Sequence, residues 1–425
     1  MVKGIPVTPL FAPLPPEIRR LLDRIPALID KTFPLPARFR HGLPADVAEL
    51  SRLLTSGRGE RGLSYLGRPA LLSAYLRFFL PWNLYRLCRL LPGLNLTLAA
   101  NDRVTDLGCG PLTFAAALWI CRPDLRILPL ELYCVDRSGP ALDAGRKFFA
   151  ALAGENSPWR IHTVKGDLYT VKALPAALVC AVNVFNEMYG DISRGGTDKL
   201  RRSAEKSARL LAHHASASAS ASAAVLVIEP GFPRCGEFIS LARGVFLKQG
   251  YNPLAPCPHD TECPLVDNGK SGAHIKKRWC HFAFATEDAP SALHKLSLAA
   301  KLPKERAVLS FLFAGPVDKK RKAADTEASA APSILRIISD SFSLPPNQCG
   351  RYACSAQGLV LLAGQKSAIE KNAYGGLVHA VFKNGERDSK SGALIAELCE
   401  GKKREEFTTE VTELHRGRGI KILTP

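Results

Sequence analysis

Between Asp102 and Pro230 short apolar runs alternate with helical patterns, and this alternation constrains the fold more than any other feature. RVTDLGCG reads as a buried strand ending in a glycine turn, with PLTFAAALWICRP as the helix after it. ELYCVDRS, WRIHTVKGDL, AALVCAVNVFNEM and AAVLVIEPG supply four further strands, and SGPALDAGRKFFAALAG and DKLRRSAEKSARLLAHH are helices between them. Strands separated by helices pair in parallel, because a parallel neighbour needs a long crossover. The spacing therefore predicts an α/β domain over 101–232, built on a doubly wound parallel sheet. Ala215 to Ala224, ASASASASAA, is low in complexity and reads as a flexible surface loop.

The first strand ends in Asp106-Leu-Gly-Cys-Gly-Pro. Gly108 and Gly110 let the backbone turn sharply and come close to a ligand, where a side chain would collide. Asp136 closes the second strand, where a carboxylate can accept ribose hydroxyls, and Asp167 follows the third, within reach of an adenine amino group. This set of strand ends resembles the class I S-adenosylmethionine-dependent methyltransferases, whose fold is Rossmann-like. The resemblance implies that Asp106, Gly108 and Gly110 organise the methionine end of that cofactor, Asp136 its ribose and Asp167 its adenine. Pro111-Leu112 departs from the pattern, which usually carries a third small residue.

Acceptor chemistry is expected at the end of the fourth strand, in Asn183-Val-Phe-Asn-Glu-Met, with Asn186 and Glu187 as candidate contacts. The Asp/Asn-Pro-Pro-aromatic tetrad of amino-group methylation is missing there. Methylation at a cytosine carbon needs a cysteine nucleophile. The nearest suggestion of one, Pro256-Cys257, lies beyond the fifth strand.

The first hundred residues read as a helical region, in EIRRLLDRIPALIDKTF, LPADVAELSRLL, ALLSAYLRFFL and PWNLYRLCRLL. Residues 233–366 read as a cysteine-rich, strand-containing domain with a charged loop at 318–333, and 367–425 as a divergent basic tail without periodicity. The 425 residues carry 57 Lys+Arg against 39 Asp+Glu, a net charge of +18, which favours a polyanionic partner such as RNA. Arg77, Arg86 and Arg89, among apolar residues of the N-terminal helices, are expected on the basic face, except that any in the core-facing stripe would be structural. Those arginines, with Pro81 and Pro92, also leave no uninterrupted apolar run of about 18 residues, so no membrane partner is expected. The opening residues read neither as a secretory signal nor as an amphipathic presequence, which makes the expected location cytoplasmic. There the twelve cysteines stay reduced and point to metal or catalysis.

Cys257, Cys263 and Cys280 stand in PCPHDTECP and WCHF, a proline-flanked stretch with little helical pattern, as suits a loop folded around a metal. His259, His281, Cys349 and Cys354 are available as a fourth ligand. Taken with LPADVAELSRLLT, YLGRPALLSAYLRFFLPWNLYRL and DLGCGPLTF, these motifs resemble the methyltransferase-like proteins of the small ribosomal subunit, from about Pro44 to Gly364. The resemblance implies a bacterial or mitochondrial factor that engages small-subunit rRNA and assists ribosome assembly or translation. It also implies a 4Fe-4S iron–sulfur cluster on Cys257, Cys263, Cys280 and Cys354. Spacing alone leaves zinc open, on four thiolates or on three with His281. Two other readings stand beside the assembly factor: an active rRNA methyltransferase, and a dinucleotide-dependent redox enzyme with an electron-transfer cluster. The absent third glycine and the lack of a second cofactor motif count against the latter.

Overall fold

A computed structural model describes residues 9–55, 57, 65–188, 196–216, 223–266, 278–316 and 333–399. The chain forms two compact units, Met1–Val317 and Asp318–Pro425. Most of the Ala/Ser loop, nearly all of the 318–333 loop and the C-terminal residues from 400 lie outside the described residues.

The first unit begins with helices. In α1 (Pro16–Thr32) Ile18, Leu22, Ile25 and Ile29 recur three or four residues apart and are buried. After α2 (Ala37–Arg40) and α3 (Leu43–Leu54), the two runs around ALLSAYLRFFL and PWNLYRLCRLL form one rod. It consists of α4 (Pro69–Ala74), a π-helical turn over Tyr75–Phe79, and α5 (Leu80–Leu90). Pro81 would crowd the carbonyl four residues back, and the widened turn there relieves it. The three arginines expected on an RNA-facing surface are instead engaged inside. Arg77 pairs with Asp30 at 3.1 Å, Arg86 donates to the Val308 carbonyl at 3.1 Å and to Asn83, and Arg89 pairs with Asp288 at 3.0 Å. Their aliphatic stems pack while the guanidinium groups find fixed acceptors.

The sheet then runs through β1 (Arg103–Leu107), α6 (Thr113–Cys121), β2 (Glu131–Asp136), α7 (Gly139–Ala153), β3 (Arg160–Lys165) and β4 (Leu178–Val182). It continues through α8 (Phe185–Met188), α9 (Gly196–Ser216), β5 (Ala224–Pro230), α10 (Pro233–Lys248), β6 (Tyr251–Ala255), β7 (Phe282–Ala285), α11 (Ser291–Ala299) and β8 (Arg306–Pro316). Strand order is β3-β2-β1-β4-β5-β8-β6, with β7 also paired to β8. Neighbours from β3 to β5 are parallel, and β8 is antiparallel to β5. This is the Rossmann-like sheet of class I methyltransferases, as the sequence leads one to expect. The boundary expected after 232 gives way, because β6, β7 and β8 extend the same sheet and the chain divides only after Val317. Antiparallel strands need no crossover helix, so the alternation that marks β1 to β5 disappears there.

The second unit contains β9 (Ser333–Ile337), β10 (Phe342–Leu344), β11 (Gln348–Ser355), β12 (Gly358–Gly364), α12 (Lys366–Glu370), β13 (Leu377–Arg387) and β14 (Leu394–Leu398). Their order is β10-β11-β12-β14-β13-β9, and β9 also pairs with β11, which closes five strands into a barrel. Only the β12–β14 pair is parallel, and α12 lies in the connection from β12 to β13. This is the connectivity of the OB-type Greek-key barrel. Leu335, Val360, Leu362 and Ala380 fill it. Residues 367–398, expected as a tail, thus supply two barrel strands.

Candidate functional site

A cavity of about 800 Å³ opens at the carboxyl ends of β1 to β4, where sheets of this kind bind ligands. Asp106, Gly108, Gly110, Asp136, Asp167 and Glu187 all line it, so the structure brings together all but one of the residues expected at the nucleotide and acceptor sites. Gly108 and Gly110 adopt φ of +73° and +53°. A Cβ on Gly108 would stand 2.6 Å from Val184, whereas one on Gly110 would meet only the Tyr75 hydroxyl, at 3.9 Å, and would project into ligand space.

The third glycine's place is held by Leu112, itself left-handed at φ +57°. Close packing there is supplied by Gly145 of α7, whose Cβ would come within 2.5 Å of the Leu112 side chain.

The carboxylates differ in their surroundings. Asp106 is 1% exposed, with Oδ1 3.5 Å from the Cys180 thiol and Oδ2 without a hydrogen-bond partner among the described residues. Burial pushes its carboxyl up to about 7, and the charge of Asp136 adds to the shift. Behind it, burial likewise pushes the Cys109 thiol up, and Asp106, Cys109 and Cys134 lie close together. Asp136 accepts from the Gly110 and Ser138 amides, each at 2.8 Å, which ties the glycine loop to β2. Burial nevertheless holds its carboxyl above the usual range. Asp167 accepts from the Tyr169 amide at 2.8 Å and pairs with Arg137; these contacts hold its carboxyl low.

At the end of β4, Asn183 takes a left-handed conformation at φ +57°, and its side-chain oxygen lies buried in the cavity wall without a partner. Asn186 is not among the lining residues. Its amide and that of Phe185 donate to fully buried Glu229, at 3.0 and 2.8 Å, so this segment is held from below. Burial pushes the Glu229 carboxyl up to about 8. Glu187 accepts from the Tyr65 hydroxyl at 3.2 Å. Tyr65, Tyr75 and Asn83 reach the cavity from the N-terminal helical region, and Lys199, Arg202 and Lys206 of α9 form a basic rim. None of these is marked by a motif; only the charge of α9 signals anything in the sequence.

Of the cysteines, Cys257 follows β6, Cys263 lies in the loop beyond, and Cys280 precedes β7, all three partly exposed. The Cys280 carbonyl accepts from Ser310 at 2.7 Å, and a Cβ on Gly236 would come within 2.7 Å of that carbonyl. The Arg243 Nε–H donates to the Cys257 sulfur at 3.2 Å. His259 is held by Thr261 at 2.8 Å, and burial pushes its imidazole down to about 4. The His281 ring stacks on Trp279 at 4.8 Å. In the second unit Cys349 belongs to the barrel core, while Cys354, five residues along β11, is on the strand's opposite face.

No curated protein matches the chain significantly. Among solved structures, magnesium protoporphyrin IX methyltransferase from Synechocystis PCC 6803 with bound S-adenosylmethionine is 11% identical, covering 64% of this chain and 97% of that one at a TM-score of 0.33. A methyltransferase from Geobacter sulfurreducens in complex with S-adenosyl-L-homocysteine is 14% identical, with coverages of 56% and 91% and a TM-score of 0.29. Likenesses this distant add nothing to what the sheet itself establishes. The match to a family model is of another order: it runs from residue 105, in β1, to 341, just beyond β9, which is more than half of the 425 residues, and the chain belongs to the mitochondrial small ribosomal subunit Rsm22 family.

Proposed function

We propose that this small-subunit methyltransferase-like protein binds S-adenosylmethionine in the β1–β4 cavity, engages small-subunit rRNA and assists ribosome assembly or translation. The observation that carries the reading is the buried Asp106 oxygen left unpartnered beneath a two-glycine loop with open space above Gly110. A buried carboxylate without a counter-charge is costly unless a ligand completes it. S-adenosylmethionine brings an ammonium, a sulfonium and a transferable methyl group. Asp106 would accept from the ammonium, Asp136 would hold the ribose and Asp167 would face the adenine.

A binding role is favoured over turnover by the acceptor side. Asn183 offers an acceptor oxygen, but Phe185, the aromatic two residues on, is buried with its ring centroid 5.4 Å from that of Phe238 and is not among the residues that line the cavity. The active rRNA methyltransferase is therefore the second reading. Against the dinucleotide enzyme, Leu112 fills the third glycine's place.

RNA contact is supported by Lys199, Arg202 and Lys206 at the cavity rim, and by the OB-type barrel, an architecture that often takes oligonucleotides. Among the described residues no helix is long and apolar enough to cross a membrane. The compartment follows the ribosome served: the family is that of the mitochondrial small subunit, and cell fractionation tests whether this chain is mitochondrial or cytoplasmic. Cys257, Cys263, Cys280 and Cys354 are proposed to hold an iron–sulfur cluster. The face of β11 that carries Cys354 favours it over core-bound Cys349.

Crosslinking in cells followed by sequencing of the bound RNA tests the main reading. Small-subunit rRNA should dominate, and reversing Lys199, Arg202 and Lys206 to Glu should reduce recovery at least tenfold and flatten the salt dependence of binding. Recovery of no ribosomal RNA, or an unaffected triple variant, counts against rRNA or this rim respectively.

A further inference from the structure

Arg243 is an arginine 3% exposed on α10, and a guanidinium stays charged even in a protein interior. A buried charge needs an opposite charge beside it. Yet among the described residues no carboxylate pairs with Arg243. Its partners are the Cys257 sulfur at 3.2 Å, the His259 carbonyl at 2.8 Å and the His259 ring nitrogen at 3.5 Å. Neither the carbonyl nor the imidazole carries a negative charge. Sulfur is the one partner that can.

The setting of α10 strengthens the point. Gly236 and Arg243 are seven residues apart, two helical turns, and so share a face. The Cys280 segment rests against Gly236, where any side chain would collide with it, and the Cys257 segment is held by Arg243. One helix face therefore seats two of the three cysteines of this segment, Cys257 and Cys280. An arginine in that place supplies both a cation and a directed N–H donor.

We infer that Arg243 is the positioning residue of the proposed metal site: it is the counter-charge of an anionic, metal-bound Cys257 sulfur, and its hydrogen bond to that sulfur sets how firmly the metal is held and at what potential it is reduced. The inference rests on the metal reading above. Neutral free thiols would leave Arg243 an uncompensated buried charge, whereas a thiolate-ligated cluster or zinc supplies the missing negative charge. Hydrogen bonds and net charge around cluster sulfurs are established determinants of reduction potential.

The test uses the full chain purified without air, as wild type, Arg243→Gln and Arg243→Lys. Three quantities are read: iron and zinc per chain, the rate of metal release to a chelator, and, where iron is bound, the midpoint of the absorbance near about 400 nm. Wild type is expected to carry metal. R243Q should release it about tenfold faster and shift its midpoint downward by about 59 mV, a tenfold change in a one-electron equilibrium. R243K, which keeps the charge but not the fork of donors, should fall between the two. S-adenosylmethionine binding, measured by calorimetry, reports whether each variant is folded. Metal-loaded wild type with R243Q unchanged in release and midpoint overturns the inference and leaves the metal reading standing. A folded wild type without iron or zinc overturns both.

Discussion

The β1–β4 cavity and the cysteine segment lie in the same unit, and each buries one ionisable group without a counter-charge among the described residues, an acid in the first and a base in the second. Among the described residues, the cavity buries Asp106 with an oxygen that none of them satisfies, while the cysteine segment buries Arg243 with no carboxylate beside it. Buried charge is normally paired, so each imbalance describes what is needed to complete it. The first calls for a cation with N–H donors, the second for an anionic sulfur-ligated centre. The contrast shows that a binding site can be read by its unbalanced charge as well as by its shape.

The sharpest way to break the comparison is at the fourth thiol. Cys354→Ser should abolish metal binding and leave S-adenosylmethionine calorimetry unchanged, whereas Cys349→Ser should keep the metal and cost the barrel about 1–3 kcal/mol by burying a hydroxyl in an apolar core. Full metal content in C354S would remove Cys354 from the site. Next comes Asp106→Asn, which should weaken S-adenosylmethionine roughly 10–100-fold, the range of a charge-assisted hydrogen bond. The same substitution should raise the melting temperature of the ligand-free protein, since it relieves a buried charge; a fall would show the cavity was not electrostatically strained.

A smaller effect is expected from pH. The Asp106 and Glu229 carboxyls lie at about 7 and 8 when folded, above their ordinary values of 3.8 and 4.5. From pH 4 to 8 these two carboxyls therefore bind more protons in the folded than in the unfolded chain, and their contribution to ligand-free stability should fall as pH rises. Ligand affinity should move the other way. Below about pH 7 a proton competes with the ammonium for Asp106, so affinity should drop by up to tenfold per unit, with proton release visible as buffer-dependent heats. Affinity independent of pH from 5 to 8 would separate Asp106 from the ligand.

The strand-end acids were legible because each follows a short apolar run and sits at a fixed step in the alternation. Tyr65, Tyr75 and Asn83 were not, since a helical region before the sheet brings them to the cavity by tertiary packing alone. Arg77, Arg86 and Arg89 resembled a solvated face until their acceptors on distant segments were known. The barrel was hidden for a related reason. Strands such as β13 end in exposed polar residues, and its partners β9 and β14 lie on opposite sides of it in sequence, so no local period marks the closed circuit. Arg243 reads as one more helical residue until its missing anion is noticed.

The exchange between Leu112 and Gly145 has a consequence for how the cofactor loop behaves when empty. In the usual arrangement the third small residue belongs to the loop itself and allows the helix and strand to pack closely. Here the left-handed Leu112 is wedged against a helix that begins more than twenty residues later, and α7 has a gap of matching size. The turn is therefore clamped from outside, by a neighbour that does not touch the ligand space. Such a loop is preorganised: it meets its ligand already shaped and loses little conformational freedom on binding.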